Sequence, residues 1–134
     1  MKVLEIKDVK KDYMLGKTVI HLMDDWLTVR ETFKRIWGYD DFRPPQGEIV
    51  RTLLNSQDAV IIMPTGGGKS ICFQLPALLK TGLTLVVSPL VALMENQVQE
   101  LRERHLPAGL LHNEIPRQQR QKTLQAIEHQ KLRL

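Results

Sequence analysis

The sequence predicts an α/β fold: a parallel sheet with helices on both faces, preceded by a two-helix N-terminal segment and a short strand pair. Two apolar runs rich in β-branched residues, DAVIIM at 58–63 and TLVVS at 84–88, have the length and composition of strands buried on both faces. Amphipathic stretches with helical spacing alternate with these runs, as crossover helices do between parallel strands. A glycine-rich turn, MPTGGGKS at 63–70, joins the first run to the helical stretch behind it.

Taken in order, KVLEIKDV and TVIHL within residues 1–22 read as two strands around a turn at Leu15–Gly16. Asp24 and Asp25 are N-cap candidates for a helix from Trp26 to Trp37. Its apolar stripe is Trp26, Val29, Phe33, Ile36 and Trp37, and Gly38 is its natural stop. FRPPQ is a loop, and QGEIVRTLL forms a second amphipathic helix. KSICFQLPALLK follows the glycine-rich turn, with Pro76 expected to kink or end the helix locally. In LVALMENQVQELRER, Leu90, Leu93, Met94, Val98 and Leu101 recur at helical spacing, and Leu93 and Met94 are expected in the core. AGLL at 108–111 reads as a third strand, and Pro116 opens a last helix, PRQQRQKTLQAIEHQ. KLRL at the end reads as the beginning of a further strand.

Composition narrows the classes of function. A chain of 134 residues is one domain or part of a larger one. With 43% hydrophobic and 25% charged residues it is a globular chain, not a disordered one. The longest apolar stretch, LTLVVSPLVALM, is broken by Ser88 and Pro89 and falls short of the roughly 20 residues a bilayer-spanning helix needs. The N-terminus lacks the apolar core of a signal peptide. Cys72, the single cysteine, rules out an internal disulfide and a cysteine metal cluster, and it sits among apolar neighbours as a core residue. A reducing, cytoplasmic setting is expected. The net charge of +4 lies in the last quarter of the chain, where Arg102, Arg104, Arg117, Arg120, Lys122, Lys131 and Arg133 face only Glu103, Glu114 and Glu128. A basic end suits a nucleic-acid partner and equally suits a solvated helix face.

The glycine-rich turn carries the chemistry. Gly66, Gly67 and Gly68 can turn tightly and bring backbone N–H groups onto phosphate oxygens. The helix behind them presents its positive end and unpaired N–H groups to the same anion. Lys69 is placed to reach β- and γ-phosphates, and the Ser70 hydroxyl to ligate Mg²⁺, so a nucleotide with Mg²⁺ is the expected ligand. The strict pattern GxxxxGK[ST] asks for glycine at position 63, where this chain has Met63.

With its surroundings, the loop resembles the RecQ family of superfamily 2 DNA helicases, and Met63 agrees with the helicase variant of the loop. RIWGYDDFRPPQGEIV resembles the family's motif 0, MPTGGGKS its motif I, SPLVALMENQV its motif Ia, and AGLLHNE its motif Ib. The resemblance covers residues 24–134 and implies a partial RecA-like P-loop domain. It implies that Gln46 reads the adenine edge, that Tyr39 and Arg43 lie against the base, and that Thr65 belongs to the nucleotide loop with Gly66–Ser70. It further implies that motifs Ia and Ib face DNA, with Ser88, Asn96 and Gln97 as candidate contacts to a single strand or a duplex junction. The activity implied is ATP-driven DNA unwinding in recombination and repair, with Lys69 in the catalytic role. A nucleotide- or DNA-binding module without catalysis is the alternative.

Two features depart from that pattern. A superfamily 2 motor needs an Asp-Glu pair at the end of a buried strand, and the acids after Lys69 (Glu95, Glu100, Glu103, Glu114 and Glu128) all sit in predicted helices or turns. The chain therefore reads as an incomplete ATP-binding domain over 23–134, inactive alone. Residues 1–22 take all their basic charge from lysine, whereas the remainder uses mostly arginine, and they read as an appended segment joined near Met23. LEIKDVKKDY followed by TVIHL resembles the opening strands of an ABC-transporter ATPase, which implies Tyr13 as an adenine-stacking aromatic. In motif Ib, His112 and Asn113 stand where the family more often has a small polar pair.

Overall fold

A computed structural model describes residues 22–134, with side chains from Trp26 onward. The expected strand pair, its turn and Tyr13 lie outside the described residues. Five helices follow in order: α1 (Leu22–Trp37), α2 (Gln46–Leu54), α3 (Lys69–Leu79), α4 (Val91–Glu103) and α5 (Arg117–Glu128).

Helix α1 begins four residues ahead of Trp26, so Asp24 and Asp25 fall inside its first turn and are not N-caps. The expected junction at Met23 falls in that turn too. Gly38 stops the helix as expected: it adopts φ +78°, and its N–H donates to the Lys34 carbonyl. The stripe of α1 buries Val29 and Phe33 against Val50 of α2 and Leu75 of α3. Trp26, Trp37, Phe42, Leu54, Ile71 and Leu79 pack around this core. Phe33 is its pivot, stacked on Phe42 with ring centroids 4.3 Å apart. At the far end, Lys80 Nζ donates to the Leu53 carbonyl and the Ser56 hydroxyl, fastening the end of α3 to the end of α2.

Pro76 neither ends α3 nor lies at its rim. The helix continues through Leu79, with Pro76 buried inside it. A proline lacks only its own N–H, so the bond lost is the one to the carbonyl four residues earlier, and the next turn can still close. It does so through the Lys80 N–H, 2.9 Å from the Pro76 carbonyl.

The expected parallel sheet is not formed among the described residues. Segments 57–64, 83–88, 106–112 and 131–134 lie outside the helices, and none is paired into a strand. The bonds between them are few: Thr84 N–H to the Arg133 carbonyl, Arg133 and Leu134 N–H both to the Pro107 carbonyl, and Gly109 N–H to the Leu134 carbonyl. The stretch 131–134 thus lies between 83–87 and 107–110, and it advances in the same sense as 107–109, as parallel pairing requires. A strand exists only through its neighbours, and so few bonds do not make a ladder. The apolar runs accordingly stay open to solvent: Val60, Ile62, Leu85 and Val87 are each at least 79% exposed. Leu93, expected in the core, is also exposed, while Leu101 on the same helix is buried with Ala108 and Ile115.

Candidate functional site

Gly68 is the hinge of the glycine-rich loop. It adopts a left-handed conformation, φ +75°, and forms the N-cap of α3, so the chain turns directly from loop into helix. Only glycine takes this conformation without a steric cost. A Cβ on Gly68 would also run into the Gln46 side-chain nitrogen, and one on Gly67 would stand 3.0 Å from the Pro64 carbonyl oxygen. Gly66 shares the left-handed conformation at φ +80°, and the Gly67 N–H donates back to the Pro64 carbonyl. The loop is therefore a tight turn that leaves no room for a side chain at Gly68. The first N–H groups of α3 have no partner within the helix.

Lys69 is exposed and bends over the loop. Its ammonium donates to the carbonyls of Met63 (3.0 Å) and Pro64 (3.1 Å), which holds the charge against the start of the loop. Cys72 lies one turn further along α3, and its thiol is 3.7 Å from the Gly68 carbonyl. Burial pushes this thiol's pKa up, so it stays protonated and able to donate. The expectation of a core cysteine holds, and the link to Gly68 is an addition to it.

Gln46 is the buried polar residue of the site, only 3% exposed. Its Oε1 accepts from the Arg43 N–H at 2.9 Å, and its Nε2 lies 3.3 and 3.4 Å from the carbonyls of Gly68 and Gly67. One amide thus fastens the loop before α2 to the loop before α3. Both groups expected to meet a base edge are engaged with backbone here. Arg43 is exposed beside it, and Tyr39 is half-exposed, with its ring 5.8 Å from that of Phe33. Thr65 lies exposed at the tip of the turn. Tyr39, Arg43, Gln46, Thr65 and the loop residues thus stand on α2, α3 and the two loops that lead into them.

The residues expected to meet DNA divide into two kinds. Asn96 is exposed on α4, free of the packed face. Ser88 turns back on its own chain, its hydroxyl accepting from the Leu90 N–H. Gln97 points inward, its Nε2 3.4 Å from the Ser70 hydroxyl oxygen. His112 is also engaged: its Nδ1 accepts from the Glu114 N–H, and its Nε2 lies 3.6 Å from a Glu95 carboxylate oxygen. An Nδ1 that accepts leaves the ring proton on Nε2, where it faces Glu95. The Glu95–His112 contact joins the two segments that resemble motifs Ia and Ib, and no spacing in the sequence announced it.

A family model described as DEAD/DEAH box helicase matches residues 43–134, well over half of the chain. The chain belongs to this helicase family. Among curated relatives it is 57% identical over 112 residues to the ATP-dependent DNA helicase RecQ of Synechocystis, covering 84% of this chain and 23% of that protein. It is 37% identical over 121 residues to the RecQ helicase of Haemophilus influenzae, covering 90% of this chain and 20% of that protein. It is 39% identical over 104 residues to the probable ATP-dependent DNA helicase RecS of Bacillus subtilis, covering 77% and 21%. The chain therefore spans between a fifth and a quarter of the length of these relatives. The RecQ resemblance read from motifs 0, I, Ia and Ib is the relationship these comparisons find. No helix among the described residues is long and apolar enough to cross a membrane.

Proposed function

We propose that this chain is the ATP-binding front portion of a RecQ-type DNA helicase motor, and that the glycine-rich loop with Lys69 and Ser70 holds the triphosphate. The observation that supports this most directly is the loop itself: left-handed Gly66 and Gly68, no room for a Cβ at Gly68, and the lysine poised over its mouth. The residues fit a Mg²⁺-nucleotide. Lys69 exchanges two carbonyl contacts for phosphate oxygens, and the N–H groups at the start of α3 supply the remaining donors. Ser70 offers a hydroxyl oxygen to the cation, which when bound neutralises developing charge on the phosphates.

Gln46, Tyr39 and Arg43 form the base-recognition group in this reading. The Gln46 amide leaves loop carbonyls and the Arg43 N–H for the matching donor and acceptor of adenine, whose edge offers the same pair of interactions. Thr65 closes the tip of the loop. Asn96 and Ser88 present polar groups to the phosphates of a DNA strand, positioning it without reading its sequence. In the whole motor the segments 58–63, 84–88 and 108–111, together with 131–134, would pair as the strands of a RecA-like parallel sheet, and the solvent-facing Val60, Ile62, Leu85 and Val87 are the residues such a sheet would cover. Residues 23–134 form this unit, with 1–22 appended.

The direct test is strand separation by the whole protein. A forked duplex should be unwound with ATP and Mg²⁺ present, and Lys69→Ala should abolish unwinding while single-strand binding persists. DNA binding with no ATP-dependent separation by the wild type would leave a binding module in place of a motor.

A further inference from the structure

Helices α3 and α4 do not pack directly on one another. Helix α3 packs on α2 and α1. Toward α4 it faces an apolar cavity of about 140 Å³, lined by Phe73 and Gln74 on one side and Met94, Val98 and Leu101 on the other. Among the described residues, one side-chain hydrogen bond bridges the two helices, from Gln97 Nε2 to Ser70 Oγ at 3.4 Å. Both residues are partly buried. On α4, Gln97 shares the inward face with Met94 and the buried Leu101, three residues before and four after it, while Asn96 beside it faces solvent.

We propose that Gln97 is a positioning residue that couples the metal–nucleotide site to the helix facing DNA. The inference rests on the nucleotide reading above and gives Gln97 a role different from a strand contact. The Ser70 hydroxyl has two lone pairs and one proton. A donor from Gln97 occupies one lone pair and fixes the hydroxyl's orientation. The second lone pair is left for a cation and the proton for a neighbouring acceptor. With no direct packing between the helices, a shift of Ser70 on binding Mg²⁺-nucleotide is passed to α4 through this bond. By reciprocity, a shift of α4 on binding a DNA strand returns to Ser70.

The experiment uses the whole protein and equilibrium binding, not turnover. Affinity for a fluorescent non-hydrolysable ATP analogue is titrated across Mg²⁺ concentration, with and without a single-stranded oligonucleotide. The variants are Gln97→Met, which keeps the length and removes the donor, Gln97→Glu, which keeps the shape and replaces donor by acceptor, Ser70→Ala and Ser70→Ala/Gln97→Met. The wild type should bind the analogue more tightly when the oligonucleotide is present. Gln97→Met should shrink that tightening by roughly two- to tenfold, the worth of one hydrogen bond, and raise the Mg²⁺ concentration at half-saturation. Oligonucleotide affinity without nucleotide should stay unchanged, and the Met change should add nothing in the Ser70→Ala background. If Gln97→Met lowers the melting temperature, Gln97→Glu is judged by the same criteria. Loss of nucleotide-free oligonucleotide affinity with coupling intact would make Gln97 a DNA contact and overturn the proposal. So would an undiminished tightening in both variants. If Ser70→Ala leaves the Mg²⁺ dependence unchanged, the cradle reading fails as well.

Discussion

Gln46 shows how a single polar side chain can hold two loops and be asked to release them. Gln46→Ala would strip the Arg43 N–H and two loop carbonyls of their partner. Leaving a buried polar group unpaired costs about 1–3 kcal/mol, so the variant should melt earlier. In competition binding it should also narrow the preference for ATP over GTP. An unchanged melting temperature with an unchanged ATP/GTP ratio would reduce Gln46 to a helix-start residue. The types of residue at this site were legible in the sequence, because glycine, lysine and serine at fixed offsets are a local pattern. The partners were not. Gln46 meets carbonyls 21 and 22 residues away, Gln97 meets a hydroxyl 27 residues away, and such pairings depend on how α2 and α4 are placed. At Asp40 the Lys34 ammonium, 2.6 Å away, holds the carboxyl below its ordinary range. Whatever this exposed pair contributes is present above the unfolded carboxylate pKa and is lost as pH falls through the depressed folded value.

Among the elements, α1 supports the segment that leads into α2. Phe33 is about 1% exposed, stacks on Phe42 and lies beside Tyr39, so it supports the segment that carries Arg43 and Gln46. Phe33→Ala should cost about 3–5 kcal/mol of stability, as other large-to-small aromatic changes in cores do. Thermal or denaturant unfolding measures this directly, and a loss under 1 kcal/mol would mean α1 is not part of the same packed unit. The helices were readable throughout: all five lie where the sequence reading placed them, within a few residues at their ends. The strands were readable only as apolar runs. A helix satisfies its own backbone, whereas an extended run becomes a strand through neighbours that no local sequence can specify. Pro76 illustrates the same limit, since it lies buried inside α3 without ending the helix.

For the molecule as a whole, the excess positive charge lies in the last quarter of the chain. Arg117 and Lys122 are exposed on α5, and neither takes part in an ion pair among the described residues. If they neutralise phosphates, single-strand affinity should fall with salt, and removing each should reduce the slope of log K against log salt by about 0.7. A slope unaltered in the double variant Arg117→Ala/Lys122→Ala would assign these charges to a solvated face. The central claim, however, is the phosphate cradle, and equilibrium titration with Mg²⁺-ATP tests it most directly. Lys69→Ala should weaken binding roughly ten- to hundredfold, the loss of one charge-assisted contact of about 1.5–3 kcal/mol. Equal affinity in wild type and Lys69→Ala would contradict the account.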